Sequence, residues 1–113
     1  SSDLAAEAYL KALTIAPTYF DANYNLGAMY FNQAVQGINE SNDMWKPRMS
    51  KAETAKQKKL ENPAKEMFAP AKPYLEAAHA TNAADIDTIR SLCDIYARTG
   101  EDALMLKMSG LMK

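Results

Sequence analysis

The chain has 113 residues, enough for one domain with its own core and no need of disulfide or metal staples. Alanine, leucine and seven methionines dominate the apolar set, glycine is scarce at four, and Val35 is the sole valine, which favours helix over sheet. A net charge of −1 excludes the strongly basic balance of a general nucleic-acid binder, and no apolar run approaches the about 18 residues of a membrane span.

In chain order, Leu4, Ala5, Ala8, Tyr9, Ala12, Leu13 and Ala16 draw one apolar stripe at helical spacing, which Pro17 stops. Asp3 or Ser2 supplies its start cap. A second helix is predicted from near Tyr19 to Asp21, through Tyr24, Gly27, Ala28, Tyr30, Phe31, Ala34 and Val35 to Ile38. Gly27 costs about 1 kcal/mol relative to alanine inside a helix, so it points to a neighbouring helix that comes too close for a side chain. The polar run from Asn39 to Asp43 weakens the pattern, and Met44-Trp45-Lys46-Pro47 reads as a turn.

A further helix starts near Met49 or Ser50, with only Met49, Ala52, Ala55 and Leu60 as a thin stripe. It is expected to be mostly solvated, projecting beyond the core or lying loosely upon it. Asn62 and Pro63 read as the cap and first position of a restarted helix running to about Ala80, with Ala64, Met67, Phe68, Ala71, Tyr74, Leu75 and Ala78 inward. Pro70 and Pro73 inside it predict a kink, with a break near Pro70 as the alternative. Asp85 or Asp87 caps the next helix, which turns Ile86, Ile89, Leu92, Cys93 and Tyr96 inward and closes at Gly100. The last helix carries Leu104, Met105, Met108, Leu111 and Met112 on one side.

Charge divides the chain: residues 43–66 hold Lys46, Arg48, Lys51, Lys56, Lys58, Lys59 and Lys65 against Asp43, Glu53, Glu61 and Glu66, a moderately basic arm. Chemistry-bearing constellations are hard to find. His79 is the only histidine and has no companion at metal-ligand spacing, so it reads as a helix-end residue whose cation would suit the negative end of the dipole. Cys93 lies on an inward face as a packing thiol, and the carboxylate pairs Asp85/Asp87 and Glu101/Asp102 sit where capping explains them. No enzyme activity, cofactor or metal is expected. Met105, Met108 and Met112 fill a terminal layer or form an interaction patch. Trp45 either tucks onto the base of a hairpin or anchors a partner.

Two stretches echo each other. Ala5, Tyr9, Ala12 and Pro17 are followed by Leu26, Gly27 and Tyr30; later Tyr74 and Ala77 precede Asn82, then Leu92, Cys93 and Tyr96. These residues resemble the tetratricopeptide repeat, and the Pro-Tyr-Leu-Glu and Ile-Tyr-Ala-Arg-Thr-Gly segments look like members common in Bacteroidetes. Asn23 stands where the family most often has tryptophan, Pro70 where it has a small residue, and Asn82 where it has proline. The resemblance implies an all-α fold of antiparallel helix hairpins stacked as a short right-handed superhelix, with a lengthened central pair and an insertion at about 39–62 in a single domain spanning 1–113. The opening residues read as the middle of a repeat, so a fragment of a longer protein is expected. Compartment is unassigned, with a lean from the resemblance toward the cell envelope.

Stacked helix pairs are usually surfaces that hold other molecules. The expectation is therefore a non-enzymatic module that binds a peptide or protein segment in its groove, with Asn23, Asn25, Tyr30, Arg90 and Asp94 as candidates and Trp45 as a further contact. In members that grip carboxylate tails an asparagine matches Asn25, but Asp87 or Ile86 falls where a lysine is needed, which argues against that clamp. The alternative is an assembly module that oligomerises or docks through the apolar face of residues 4–16.

Overall fold

Periodic apolar stripes, a capping box and a left-handed glycine divide the chain into helices and the turns between them. The structure, a computed structural model, describes residues 2–113, with Ser2 described only through its place in the first helix. Six helices follow one another: α1 (Ser2–Ile15), α2 (Phe20–Asp43), α3 (Lys51–Glu66), α4 (Phe68–Thr81), α5 (Ile86–Arg98) and α6 (Asp102–Leu111). The described residues form no strand, so the fold is all-α.

Local chemistry sets most of the boundaries. Ser50 caps α3 with a full capping box, its side chain accepting from the Glu53 amide at 3.1 Å while Glu53 accepts from the Ser50 amide at 3.0 Å. Of the two candidate caps for α5, Asp85 is the one used, accepting from Thr88 N at 3.0 Å and Thr88 Oγ1 at 2.7 Å. Gly100, at φ 73°, turns the chain out of α5, and the Glu101 amide reaches back to the Tyr96 carbonyl at 2.9 Å. At the start of α1, Asp3 falls in the first turn, and the Ser2 side chain lies outside the described residues.

Two boundaries differ from the sequence expectation. The polar run Asn39–Asp43 does not end α2, because Ser41 is fully buried against α3. Its hydroxyl donates to the Gln57 carbonyl at 3.4 Å, and Gln57 Nε2 donates back to the Ser41 carbonyl at 3.0 Å. Pro63 does not restart a helix; it lies inside α3, and the interruption falls at Met67. The Pro70 ring crowds the carbonyl four residues earlier, which is that of Glu66, the last residue of α3. Pro70 then occupies the first turn of α4, where its missing amide costs no helical bond.

α2 is the spine. It packs along α3 with its later half and along α4 with its earlier half, and it touches α1 and α5. The register is antiparallel: Gly27 lies against Leu75, Tyr30 against Tyr74, Phe31 against Phe68, Gly37 against Ala64, and Ser41 against Gln57. A Cβ on Gly27 would lie 2.7 Å from Leu75 Cγ and 3.2 Å from the Leu75 amide, the close approach that its sequence context implied. The expected loose α3 is therefore solvated on one side only; Ala64 is buried, and Leu60 and Gln57 are half-buried.

The core runs through α2, α4, α5 and α6, with Phe68, Leu75, Ile89, Leu92, Ile95, Tyr96 and Met108 at its centre. α1 packs onto α2 alone and buries none of its described side chains fully; Ala5, Tyr9, Ala12 and Leu13 are half-buried, while Leu4, Ala8 and Ala16 of the expected stripe are exposed. Ile86, expected inward, is likewise exposed at the first position of α5. The molecule measures 49 × 36 × 16 Å. Its radius of gyration is 16.0 Å, against about 13 Å for a compact domain of this length, so it is an elongated slab.

Candidate binding surfaces

Chain order places the sequence-predicted residues on one long helix and one short one. Asn23 is buried beneath the α1–α2 turn, where its Nδ2 donates to the Pro17 carbonyl at 3.1 Å. Its side chain is committed to holding that turn. Asn25 is exposed and donates to the Asp21 carbonyl one helical turn back at 2.7 Å. Tyr30 is half-buried with its ring stacked on Tyr74, centroids 6.2 Å apart and 21° from parallel. It joins α2 to α4 and presents only part of its surface.

On α5, Arg90 is exposed, and Asp94 one turn later accepts from Arg98 Nε at 2.8 Å. α2 and α5 meet directly, and Tyr24 marks the contact: burial raises its phenol above the ordinary value, with the carboxylates of Asp87 and Asp85 adding to the shift. Tyr24 thus lies near Asp85 and Asp87 at the start of α5, and Asn25 and Arg90 are exposed on the same two helices. Trp45 belongs elsewhere. It follows α2 about 30 Å from Asn25 at 1.5 Å per residue, and 65% exposure removes the reading in which it tucks under the hairpin.

A second surface opens where α3 breaks from α4, and the residues that form it were not singled out from the sequence. Lys65, Phe68, Ala69, Lys72, Arg98 and Thr99 line a cavity of about 420 Å³. The Arg98 guanidinium sits 5.1 Å from the Phe68 ring centroid, a cation–π contact over a ring that is itself buried. Lys72 Nζ pairs with Glu101 Oε1 at 2.9 Å, and Lys65 Nζ with Glu61 Oε1 at 2.6 Å. The Thr99 hydroxyl and then the Lys72 ammonium hold the Glu101 carboxyl below its ordinary value, and Lys65 does the same for Glu61. The sequence signal that could have found this surface is the spacing of Lys51, Lys58, Lys65 and Lys72, each seven residues after the last.

A third feature is a shallow hollow of about 660 Å³ on the outer side of α1, lined by Leu4, Glu7, Ala8, Leu10, Lys11 and Thr14. It is open and mixed in character.

Among the described residues, no group of three His, Cys, Asp or Glu side chains is placed to hold a metal ion. His79 lies in the last turn of α4 with Nδ1 buried and lacking a hydrogen-bond partner. Cys93 is half-buried, its thiol donating to the Met105 carbonyl at 3.7 Å. Met108 is buried in the core, Met105 packs beside it, and Met112 is exposed. Comparison of the chain with protein-family models, with curated proteins and with solved structures gives no match.

Proposed function

We propose that this chain is a non-enzymatic helical-repeat module, built on the tetratricopeptide plan, that binds a peptide or protein segment. The observation that carries the reading is shape. A slab 16 Å thick, whose radius of gyration exceeds the compact value, exposes much of its helix surface on its broad faces. Asn25 on α2 and Arg90 on α5 are both exposed, and the half-buried Tyr24 lies where these two helices meet. Such a face suits a partner read by amide, guanidinium and aromatic contacts. Asn25→Ala with Arg90→Glu tests the site, since both positions are exposed and the fold should persist by circular dichroism. Capture of a partner from native lysate is expected to be lost; unchanged capture by the folded variant sinks the assignment.

A second reading, assembly through end faces, draws on a different observation. Leu10 at 42% and Ile15 at 86% are exposed on α1, and Leu106 at 65% and Leu111 at 48% on α6. Apolar side chains at both ends of an array suit head-to-tail association of copies. Light scattering across concentration separates the readings: growth with concentration that Ile15→Lys abolishes supports assembly, and a strict monomer dismisses it.

A further inference from the structure

Lys51, Lys58, Lys65 and Lys72 recur every seven residues along α3 and into α4. Seven residues fall about 20° short of two full helical turns, so the three on α3 share one slowly drifting stripe with steps of about 10.5 Å. Lys51, Lys58 and Lys65 are exposed. Lys65 and Lys72 line the same cavity, so the row continues across the break at Met67 and ends beside Arg98. The lining of that cavity contains three cations and no carboxylate. Glu61, Asp94 and Glu101 pair with those cations but are not part of the lining. Pairs this open to solvent hold their partners weakly, so an arriving anion can share or displace them.

We propose that the lysine row and its terminal cavity form the docking surface for an acidic peptide segment in polyproline II conformation, with one carboxylate seated among Lys65, Lys72 and Arg98. The proposal rests on the reading of the chain as a protein-binding module and names the partner's chemistry. Polyproline II has three residues per turn and a rise of about 3.1 Å, so an acid at every third position repeats on one face at about 9 Å. That repeat lies within about 1 Å of the lysine steps on α3, a difference that long, exposed lysine side chains can absorb. A nucleic-acid strand carries a charge about every 3.4 Å, of which a row this sparse would neutralise only about a third. At the cavity end the row offers no ring for base stacking, since Phe68 is 3% exposed and covered by Arg98.

Fluorescence anisotropy with neutral-dye peptides tests the idea. One peptide carries glutamate at every third position in a proline–alanine background, a second clusters the same glutamates at one end, and a third replaces them with glutamine. Wild type is expected to bind the first at least about tenfold more tightly than the other two. Lys58→Glu with Lys65→Glu should lose that binding by about tenfold or more, because both side chains are exposed and reversal leaves the packing intact. Arg90→Glu should leave it unchanged, so failure of the lysine row and failure of the α2–α5 face are read from different variants. Equal affinity for the three peptides, no binding by wild type, or indifference to the charge reversal overturns the proposal. Tighter binding of oligothymidylate, or of vesicles containing phosphatidylserine, than of the first peptide also overturns it and identifies the other polyanion as the ligand.

Discussion

Gly37 and Ala64 face each other where α2 passes α3, and exchanging them tests how tightly the two helices are registered. A Cβ built on Gly37 would overlap the Ala64 Cβ and lie 3.5 Å from the Ala64 Cα. Gly37→Ala alone gains about 1 kcal/mol of helix propensity. It also drives the new methyl into the Ala64 Cβ, which cannot rotate away, at about 1–3 kcal/mol, for a net loss near 1 kcal/mol. Ala64→Gly alone costs about 1 kcal/mol of propensity and about 0.8 kcal/mol for the lost buried methyl, or roughly 2 kcal/mol together. Additivity would put the double variant about 3 kcal/mol below wild type. The structure instead expects it within about 1 kcal/mol of wild type, because Ala64→Gly vacates the space that the new methyl occupies and the propensity terms cancel. The coupling of about 2–3 kcal/mol is measurable by urea unfolding followed by far-UV circular dichroism, with the slope checked for constancy across variants. A double variant that merely sums the single losses would refute the close approach.

Two further outcomes concern pH. Glu53, hydrogen-bonded to Lys46 and closing the Ser50 capping box, has its carboxyl drawn down from an ordinary 4.5 to about 2. Its folded value is lowered, so its contribution is complete above about 4.5 and lost as pH falls toward about 2. Fluorescence of Trp45, the lone tryptophan beside Lys46, should report loosening of the α3 start in that window, and Glu53→Gln should abolish the transition. Tyr96, buried and donating its hydroxyl to Glu76 Oε2 at 2.7 Å, titrates well above the usual tyrosine range because of burial and then the Glu76 carboxylate. A raised folded value means that stability holds below the ordinary tyrosine value of 10.0 and declines as pH climbs past it. Tyr96→Phe should cost about 1 kcal/mol at neutral pH by urea unfolding and should flatten the alkaline decline; an unchanged alkaline limb would assign the decline to another group.

The helices were legible because their apolar periods are long and their ends carry strong local signals. Gly100 marks the end of α5 by residue type alone, whereas the sequence narrows the start of α3 only to Met49 or Ser50 and the cap of α5 only to Asp85 or Asp87, and the bonds to Glu53 and Thr88 decide between them. What escaped depends on partners distant in the chain. The run Asn39–Asp43 looks like a helix end until Gln57 is brought to Ser41, sixteen positions away. Pro63 carries every local mark of a helix start, yet the helix around it is held by α2 packing against Ala64. Tyr30 and Asn23 read as groove residues because they lie on the right helix, and their burial follows from Tyr74 and from the Pro17 turn. The cavity at Lys65, Lys72 and Arg98 draws on three helices, which no single period reveals.

The antiparallel run from Gly27–Leu75 to Ser41–Gln57 behaves like a zip whose closed end is the Trp45 turn. In such an arm, length is a paired variable. One turn added to α2 past Ile38 finds its packing only if α3 grows by a turn as well, and loss from one side strands the other in water. Neither change reaches Leu75, Ile89 or Leu92, where the core sits. The arm can therefore lengthen or shorten in matched steps, carrying Lys51 and Lys58 nearer to or farther from the cavity while Lys65 and the far helices keep their places.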